Sequence, residues 1–213
     1  MKLAEIQQKT GKLVLLSKSV LRGFESNADA LDANIKYWLA GGDLIALKKG
    51  LYIFSERYEK EKDKDGILEY IAGQLLSPSY LALEFVMAKY QLLTESVNAI
   101  TSVTTKTTRI YNNKLGTFRY YTVTPKLFCG YKITFINGAP IAIASKAKAV
   151  FDFLYLRFFK NSAVNEKEIE ELRINWENLS QKEFNELASF AKLTRSVRIN
   201  NVIVLIEKMY YAD

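Results

Sequence analysis

Histidine is absent from the chain, cysteine occurs once, and proline three times in 213 residues. Each scarcity excludes a class of chemistry. Without imidazole there is no Ser-His or Cys-His nucleophilic pair, no histidine general base and no mixed Cys/His zinc site. The single thiol, Cys129, forms no intramolecular disulfide and no thiolate cluster, which fits a reducing compartment. Long apolar runs are also missing. The opening MKLAEIQQKTGKLVLLSKS is interrupted by Glu5, Gln7, Gln8, Lys9 and Lys12, so it lacks the apolar core of a secretory signal. No run approaches the roughly 18 residues needed to cross a bilayer. These absences predict a cytoplasmic protein that is not an enzyme and has no cofactor, no metal site and no membrane partner.

What is present is ordinary in bulk and uneven in distribution. A hydrophobic fraction of 49% and a charged fraction of 25% describe a globular chain able to bury a core. The formal charge of +7 suits an anionic partner, since net charge bears on association rather than fold. Residues 1–60 hold ten basic and seven acidic side chains, 61–95 three and six, 96–160 ten and one, and 161–213 seven and nine. The segment 96–160 therefore carries more than the whole excess, with Asp152 its only carboxylate. From Glu56 to Gly66, ERYEKEKDKDG places nine charges in eleven residues, a composition that reads as a solvated connector. The expected organisation is one domain over 1–60 and a second over 67–213, monomeric in solution.

In the first sixty residues the apolar spacing predicts a helix over 2–9 with Leu3 and Ile6 on one face. A second short helix is expected over Ser17 to Phe24 with Ser17 as N-cap, and a longer one starts at Asn27. In the last, Leu31, Ile35, Trp38 and Leu39 form a stripe, while Asp29, Ala33, Lys36 and Tyr37 point away. Gly41-Gly42 ends it. A hairpin follows, with strands at Asp43–Leu47 and Leu51–Phe54 around Lys48-Lys49-Gly50. Helices followed by a hairpin with a basic tip make the plan of a winged helix-turn-helix, whose second helix enters the major groove and whose wing lies along the phosphate backbone. On that plan Asn27, Lys36 and Tyr37 face bases or phosphates, Ser17, Lys18 and Arg22 anchor the preceding helix, and Lys48 and Lys49 meet phosphate. Asp29 and Asp32 favour the plainer reading of a packed helix beside a soluble turn, because carboxylates repel phosphates.

Past the connector, 67–93 reads as two helices separated by Pro78, with Ile67, Tyr70, Ile71, Leu75, Leu81, Phe85 and Tyr90 as core. The stretch 99–143 is a series of β-branched and aromatic runs punctuated by Asn112-Asn113, Gly116, Pro125, Gly130 and Asn137-Gly138, which predicts a small antiparallel or mixed sheet. Lys106, Arg109, Lys114, Arg119 and Lys126 alternate with aromatics there, and Lys146 and Lys148 open the next helix. Together they read either as a second basic surface for nucleic acid or as the solvated face of a sheet. Lys148 and Asp152 stand four apart, an ordinary helix-surface ion pair if exposed. The Glu-rich run 166–171 reads as a solvated face rather than a metal site. The tail is expected to be helical. The predicted fold class is α+β: an N-terminal winged helix-turn-helix, then a second α+β domain with a small antiparallel or mixed sheet and C-terminal helices.

Four blocks, in this order, resemble a known family. IALKKGLYIF (45–54) looks like the wing of the AbiEi antitoxins of abortive-infection systems, with Lys49, Gly50 and Tyr52 at the matching positions. SYLALEFVMAKYQLL (79–93), GTFRYYTV (116–123) and IAIASKAKAVFDFLYL (141–156) are similar to later blocks, the last through Lys148, Ala149 and Asp152. Ala82 and Phe85 stand where such proteins usually carry Ser, and Ala147 where an acidic residue precedes the Lys. The resemblance implies a transcriptional autorepressor that binds double-stranded DNA at its own promoter through the winged helix, with Tyr52 part of the wing. It also implies a C-terminal domain that counters a nucleotidyltransferase-like toxin without needing a stable complex. The alternative is an orphan winged-helix regulator or adaptor whose C-terminal domain binds protein or RNA.

Overall fold

The computed structural model describes residues 2–11, 13–136, 138–160 and 163–212. The protein is α+β, with one small antiparallel sheet and one larger mixed sheet. By its internal contacts the chain divides into two compact units, Met1–Leu68 with Tyr111–Thr117, and Glu69–Ile110 with Phe118–Asp213.

The first unit begins with α1 (Leu3–Thr10), β1 (Leu16–Ser17), α2 (Lys18–Arg22) and α3 (Ala28–Gly41). Strands β2 (Leu44–Lys48) and β3 (Leu51–Phe54) and helix α4 (Ser55–Lys60) follow. The strand order is β1-β3-β2, antiparallel, with Leu16 opposite Tyr52 and Leu44 opposite Phe54. Ser17 and Asn27 cap α2 and α3, their side-chain oxygens accepting from the amides of Val20 (3.2 Å) and Ala30 (3.0 Å); each cap contributes about 1 kcal/mol. The α3 stripe packs as its spacing requires, with Leu31, Ile35 and Trp38 buried among Ile6, Leu16, Leu21, Leu44, Tyr52 and Phe54, and Leu39 against that cluster. Two-residue β1 carries no periodicity, so the third strand is invisible in the sequence. The charged stretch after Phe54 differs from a solvated connector. It forms α4 and then the start of α5, and it is tied to α1: Gln7 donates to Glu56 (2.6 Å) and Arg57 to the carbonyl of Gly11 (2.7 Å). Helical i,i+4 charge pairing, Glu56 with Lys60, lets so polar a segment hold a helix.

The second sheet has six strands, β4 (Ser79–Leu81), β5 (Ala99–Thr104), β6 (Arg109–Asn113), β7 (Gly116–Thr122), β8 (Tyr131–Ile136) and β9 (Ala139–Ala144), in the order β6-β7-β5-β4-β9-β8; it belongs to the second unit except for Tyr111–Thr117 of β6 and β7. The remaining helices are α5 (Lys64–Leu75), α6 (Leu83–Lys89), α7 (Lys146–Phe158), α8 (Glu166–Glu170), α9 (Gln181–Thr194) and α10 (Val197–Tyr210). Strand β4 runs antiparallel to β5 and parallel to β9, which makes the sheet mixed. The segment 67–93 is thus helix, strand, helix rather than two helices, because Ser79-Tyr80-Leu81 pairs on both sides. Of its expected core residues, Ile67, Ile71, Leu75 and Leu81 are buried, whereas Tyr70, Phe85 and Tyr90 are half-buried. Gly138 turns β8 into β9, while its expected partner Asn137 lies outside the described residues. The tail departs from continuous helix: after α8, Ile174 bridges Leu93 and a single 3-10 turn spans Trp176–Asn178. Ser180 and Glu183 then start α9 with a reciprocal capping box. Helix α7 packs against α6, α9 and α10, with Phe151, Leu154 and Phe158 inside. Among the described residues no helix is long and apolar enough to cross a membrane.

Candidate functional site

In the first unit, α3 turns an open face to solvent. Lys36 is exposed and Tyr37 has 73% of its surface exposed, although aromatic rings are usually half-buried at least. Arg22 and Lys49 are exposed as well, and Lys48 is half-buried. The hairpin tip is held to the start of α2, where the Lys18 amide donates to the Gly50 carbonyl at 2.8 Å; Gly50 supplies the positive φ of 77° that the tight turn needs. Several expected contact residues have other work. The Asn27 side-chain oxygen is spent on the α3 cap, and Ser17 on the α2 cap and on Ser19 (2.6 Å). The Lys18 ammonium pairs with Asp32, which neutralises one of the two carboxylates near the start of α3. Tyr52, expected on the wing surface, is only 8% exposed and belongs to the hydrophobic cluster instead. Alternation explains it: β3 turns that residue inward between α3 and the sheet.

The basic residues expected to form one second surface fall into separate environments. Lys106, Arg109 and Lys126 are exposed in the second unit. Lys114 is exposed too, yet it lies in the tip segment Tyr111–Thr117 and so belongs to the first unit. There it lines a cavity of about 450 Å³ together with Lys48 and Lys49. Lys146 is largely buried, donating to the Asn178 carbonyl (2.7 Å) and pairing with Glu183 (3.0 Å). Lys148 has no exposed surface, so it is not part of any basic face.

Lys148 is instead the centre of a closed polar network. Its ammonium donates to the Tyr80 hydroxyl (2.9 Å) and pairs with Asp152 one turn along α7, and the same Tyr80 hydroxyl donates to the other Asp152 oxygen (2.9 Å). Neither Lys148 nor Asp152 exposes any side-chain surface, so this is a buried ion pair and not the surface pair that the i,i+4 spacing suggests. The Phe151 and Phe190 rings stand 5.0 and 5.5 Å from the ammonium. Gly130 lets this packing close: a Cβ there would sit 2.6 Å from Phe190 and 2.9 Å from the Lys148 side chain. Burial pushes the Asp152 carboxyl up to about 6, against the pull of Lys148 and the hydrogen bond from Tyr80. Burial, and then the Asp152 charge, pushes the Tyr80 phenol far above its ordinary value. Every polar atom in the network has a partner, which suits holding β4 against α7 rather than moving protons.

A wider cleft, about 710 Å³, lies elsewhere in the second unit and is lined by Glu84, Thr101, Arg119, Tyr121, Glu171 and Arg173 among others. Sequence reading reached Arg119 but missed the cleft, since its walls come from α6, β5, β7 and the segment after α8. One oxygen of Glu84 is buried there with no hydrogen-bond partner. Thr101 does the work that Ala82 at the start of α6 lacks a side chain for: its hydroxyl accepts from the Phe85 amide (3.1 Å) and donates to the Ala82 carbonyl (2.7 Å). Among the described residues no three His, Cys, Asp or Glu side chains gather as a metal site. No family model and no curated protein matches the chain.

Proposed function

We propose that this protein is a DNA-binding transcriptional regulator whose first unit is a winged helix-turn-helix reading double-stranded DNA. The observation that carries the reading is the solvent face of α3, where Tyr37 and Lys36 stand exposed beside a hairpin tipped by Lys48 and Lys49. The order helix, short strand, two helices and hairpin, closed by a β1-β3-β2 sheet, supports it. The acidic count near the start of α3 weighs less than its sequence suggests, because Asp32 is paired with Lys18. The further step, repression of its own promoter and a second unit that counters a nucleotidyltransferase-like toxin, rests on the resemblance to AbiEi antitoxins. A second reading, an adaptor whose second unit binds a protein or RNA, is favoured by the cleft at Glu84.

The test is a gel shift on the DNA upstream of its own gene across a salt series. Binding is expected at low salt and to weaken as salt rises, since phosphate contacts release counterions. Lys48→Ala/Lys49→Ala should lower the slope of log affinity against log salt by about 2 if each lysine meets one phosphate. No shift at low salt sinks the reading, and an unchanged slope removes the wing from it. Co-expression with the product of the neighbouring gene separates the two roles of the second unit: rescue from toxicity supports the antitoxin, and persistent lethality with normal promoter binding supports the adaptor.

A further inference from the structure

The cleft of about 710 Å³ in the second unit holds two charged side chains that the fold leaves uncommitted. Five charged residues line it: Glu84, Glu95, Arg119, Glu171 and Arg173. Arg173 pairs with Glu95 (3.2 Å), and Lys167 approaches Glu171 to 3.9 Å. Among the described residues Glu84 and Arg119 take part in no ion pair. One oxygen of Glu84 is closed off from solvent without a hydrogen bond. A carboxylate oxygen that has lost its hydration and gained no donor is a cost to the fold, so stability gives no reason for it. The backbone beside it is strained as well: Leu83, the residue before Glu84, has a φ of 60°, and Arg173 on the cleft wall has 50°. Side chains with a Cβ adopt that left-handed region at a cost, and such strain gathers at ligand sites. A neighbouring cavity of about 500 Å³ shares Glu84, Tyr121, Glu171 and Leu172 with the cleft. It adds the apolar Leu83, Phe153 and Leu156 and one further charge, Arg157, which Glu168 meets at 3.7 Å. Glu84 therefore stands where a polar space opens into an apolar one.

We propose that this cleft binds a small zwitterion, an amino acid with an apolar side chain. The ligand's ammonium donates to the Glu84 carboxylate, its own carboxylate accepts from the Arg119 guanidinium, and its side chain enters the space lined by Leu83, Phe153 and Leu156. One free charge of each sign in one cleft selects this class, because a simple cation leaves Arg119 unanswered and a simple anion leaves Glu84 so. The volume lies within the several hundred Å³ usual for small-molecule pockets, in which a few polar groups fix orientation and apolar walls supply contact; Thr94, Ser96 and Asn98 add polar groups here. The site lies wholly in the second unit and is independent of DNA binding by the first. It gives the cleft a small occupant where the adaptor reading gives it a protein or RNA.

Isothermal titration and thermal-shift measurements on the full chain test it, with free leucine, isoleucine, valine, methionine and phenylalanine as probes at up to about 10 mM. At least one is expected to bind and to raise the thermal midpoint. Its N-acetyl derivative lacks the ammonium and its amide lacks the carboxylate, so each should bind the wild type at least about tenfold more weakly. Glu84→Gln and Arg119→Gln should each weaken the parent probe by a similar factor. The N-acetyl derivative should bind Glu84→Gln and wild type alike, since the group that meets Glu84 is already gone; this readout would not follow from a merely structural role. Glu84→Gln keeps the shape of the side chain and removes an unanswered charge, so its ligand-free midpoint should equal or exceed that of the wild type. Arg119 is exposed, and its replacement should leave the ligand-free midpoint unchanged. The proposal is overturned if none of these probes binds, or if the N-acetyl or amide form binds as tightly as its parent, which would make the cleft a site for simple anions or simple cations. It is equally overturned if either variant binds the parent probe like the wild type.

Discussion

At the scale of single residues, the buried Lys148–Asp152–Tyr80 network holds the largest energies at stake. Two charges with no exposed side-chain surface have given up hydration, and only mutual attraction and the Tyr80 hydroxyl offset that loss. Lys148→Met should therefore cost on the order of 3–5 kcal/mol at pH 7, since it leaves a buried carboxylate without a counter-charge. The sign of the pH dependence follows from Asp152, whose value in the folded protein is raised to about 6 from 3.8. A raised carboxyl binds its proton more tightly folded than unfolded. Its stabilising contribution is complete below the ordinary carboxylate range and is lost as pH rises through about 6. Urea denaturation should accordingly find Lys148→Met much less damaging at pH 5 than at pH 7. An equal penalty at both would mean that the carboxyl does not titrate there. Lys148 and Asp152 stand out in the sequence as an i,i+4 pair, but their burial does not, because nothing local distinguishes a helix face turned to solvent from one covered by Tyr80, Phe151 and Phe190.

At the scale of elements, β8 forms an edge of the six-stranded sheet. The Ser145 amide bonds to the Gly130 carbonyl (2.9 Å), which puts residues 130 and 145 in a hydrogen-bonded pair. With Tyr131 opposite Ala144, alternation then turns the backbone groups of Tyr131, Ile133 and Phe135 toward the open side. Their side chains are exposed as well, Ile133 by 53% and Phe135 by 71%. An edge that offers both unpaired amides and apolar side chains favours self-association at high concentration, and natural edges are commonly blunted with charge. Lys132 is the only charge on this strand. Phe135→Lys should raise the concentration at which the protein remains monodisperse in light scattering without lowering its melting temperature. A wild-type chain that stays monomeric at the highest attainable concentration would contradict the expectation. The alternation of YKITFI predicts a strand, yet whether it lies in the middle or at the rim of a sheet depends on pairing order. β4 escaped sequence reading for the complementary reason: three residues after a proline show no period, and only pairing to β5 and β9 makes them a strand.

For the whole molecule, the charge map changes its meaning once the chain is folded. The excess in 96–160 does not form one basic plate. Lys148 is enclosed, Lys146 is paired with Glu183, Lys114 joins the first unit, and Arg119 lines a cleft that also holds Glu84 and Glu171. If the first unit binds duplex DNA, the ligand should raise the thermal midpoint of the chain, by the equivalent of about 2.7 kcal/mol at a hundredfold excess over the dissociation constant. Differential scanning fluorimetry with and without duplex checks this, and a midpoint indifferent to saturating duplex would count against the proposal. The sequence alone was enough for what depends on near neighbours: the helices at the start of the chain with the cap at Ser17, the β2–β3 hairpin, the strand runs of 99–143, and the exclusion of imidazole chemistry. Propensity, periodicity and capping act over a few residues, so they are readable along the chain. The tertiary structure decided which lysines are surface and which are core, that Tyr52 faces inward, that Thr101 caps a helix 16 positions before it in the chain, and that Asn113 donates to the Leu47 carbonyl on β2. Those outcomes depend on groups brought together from far apart, and no local pattern carries the information of which partner arrives.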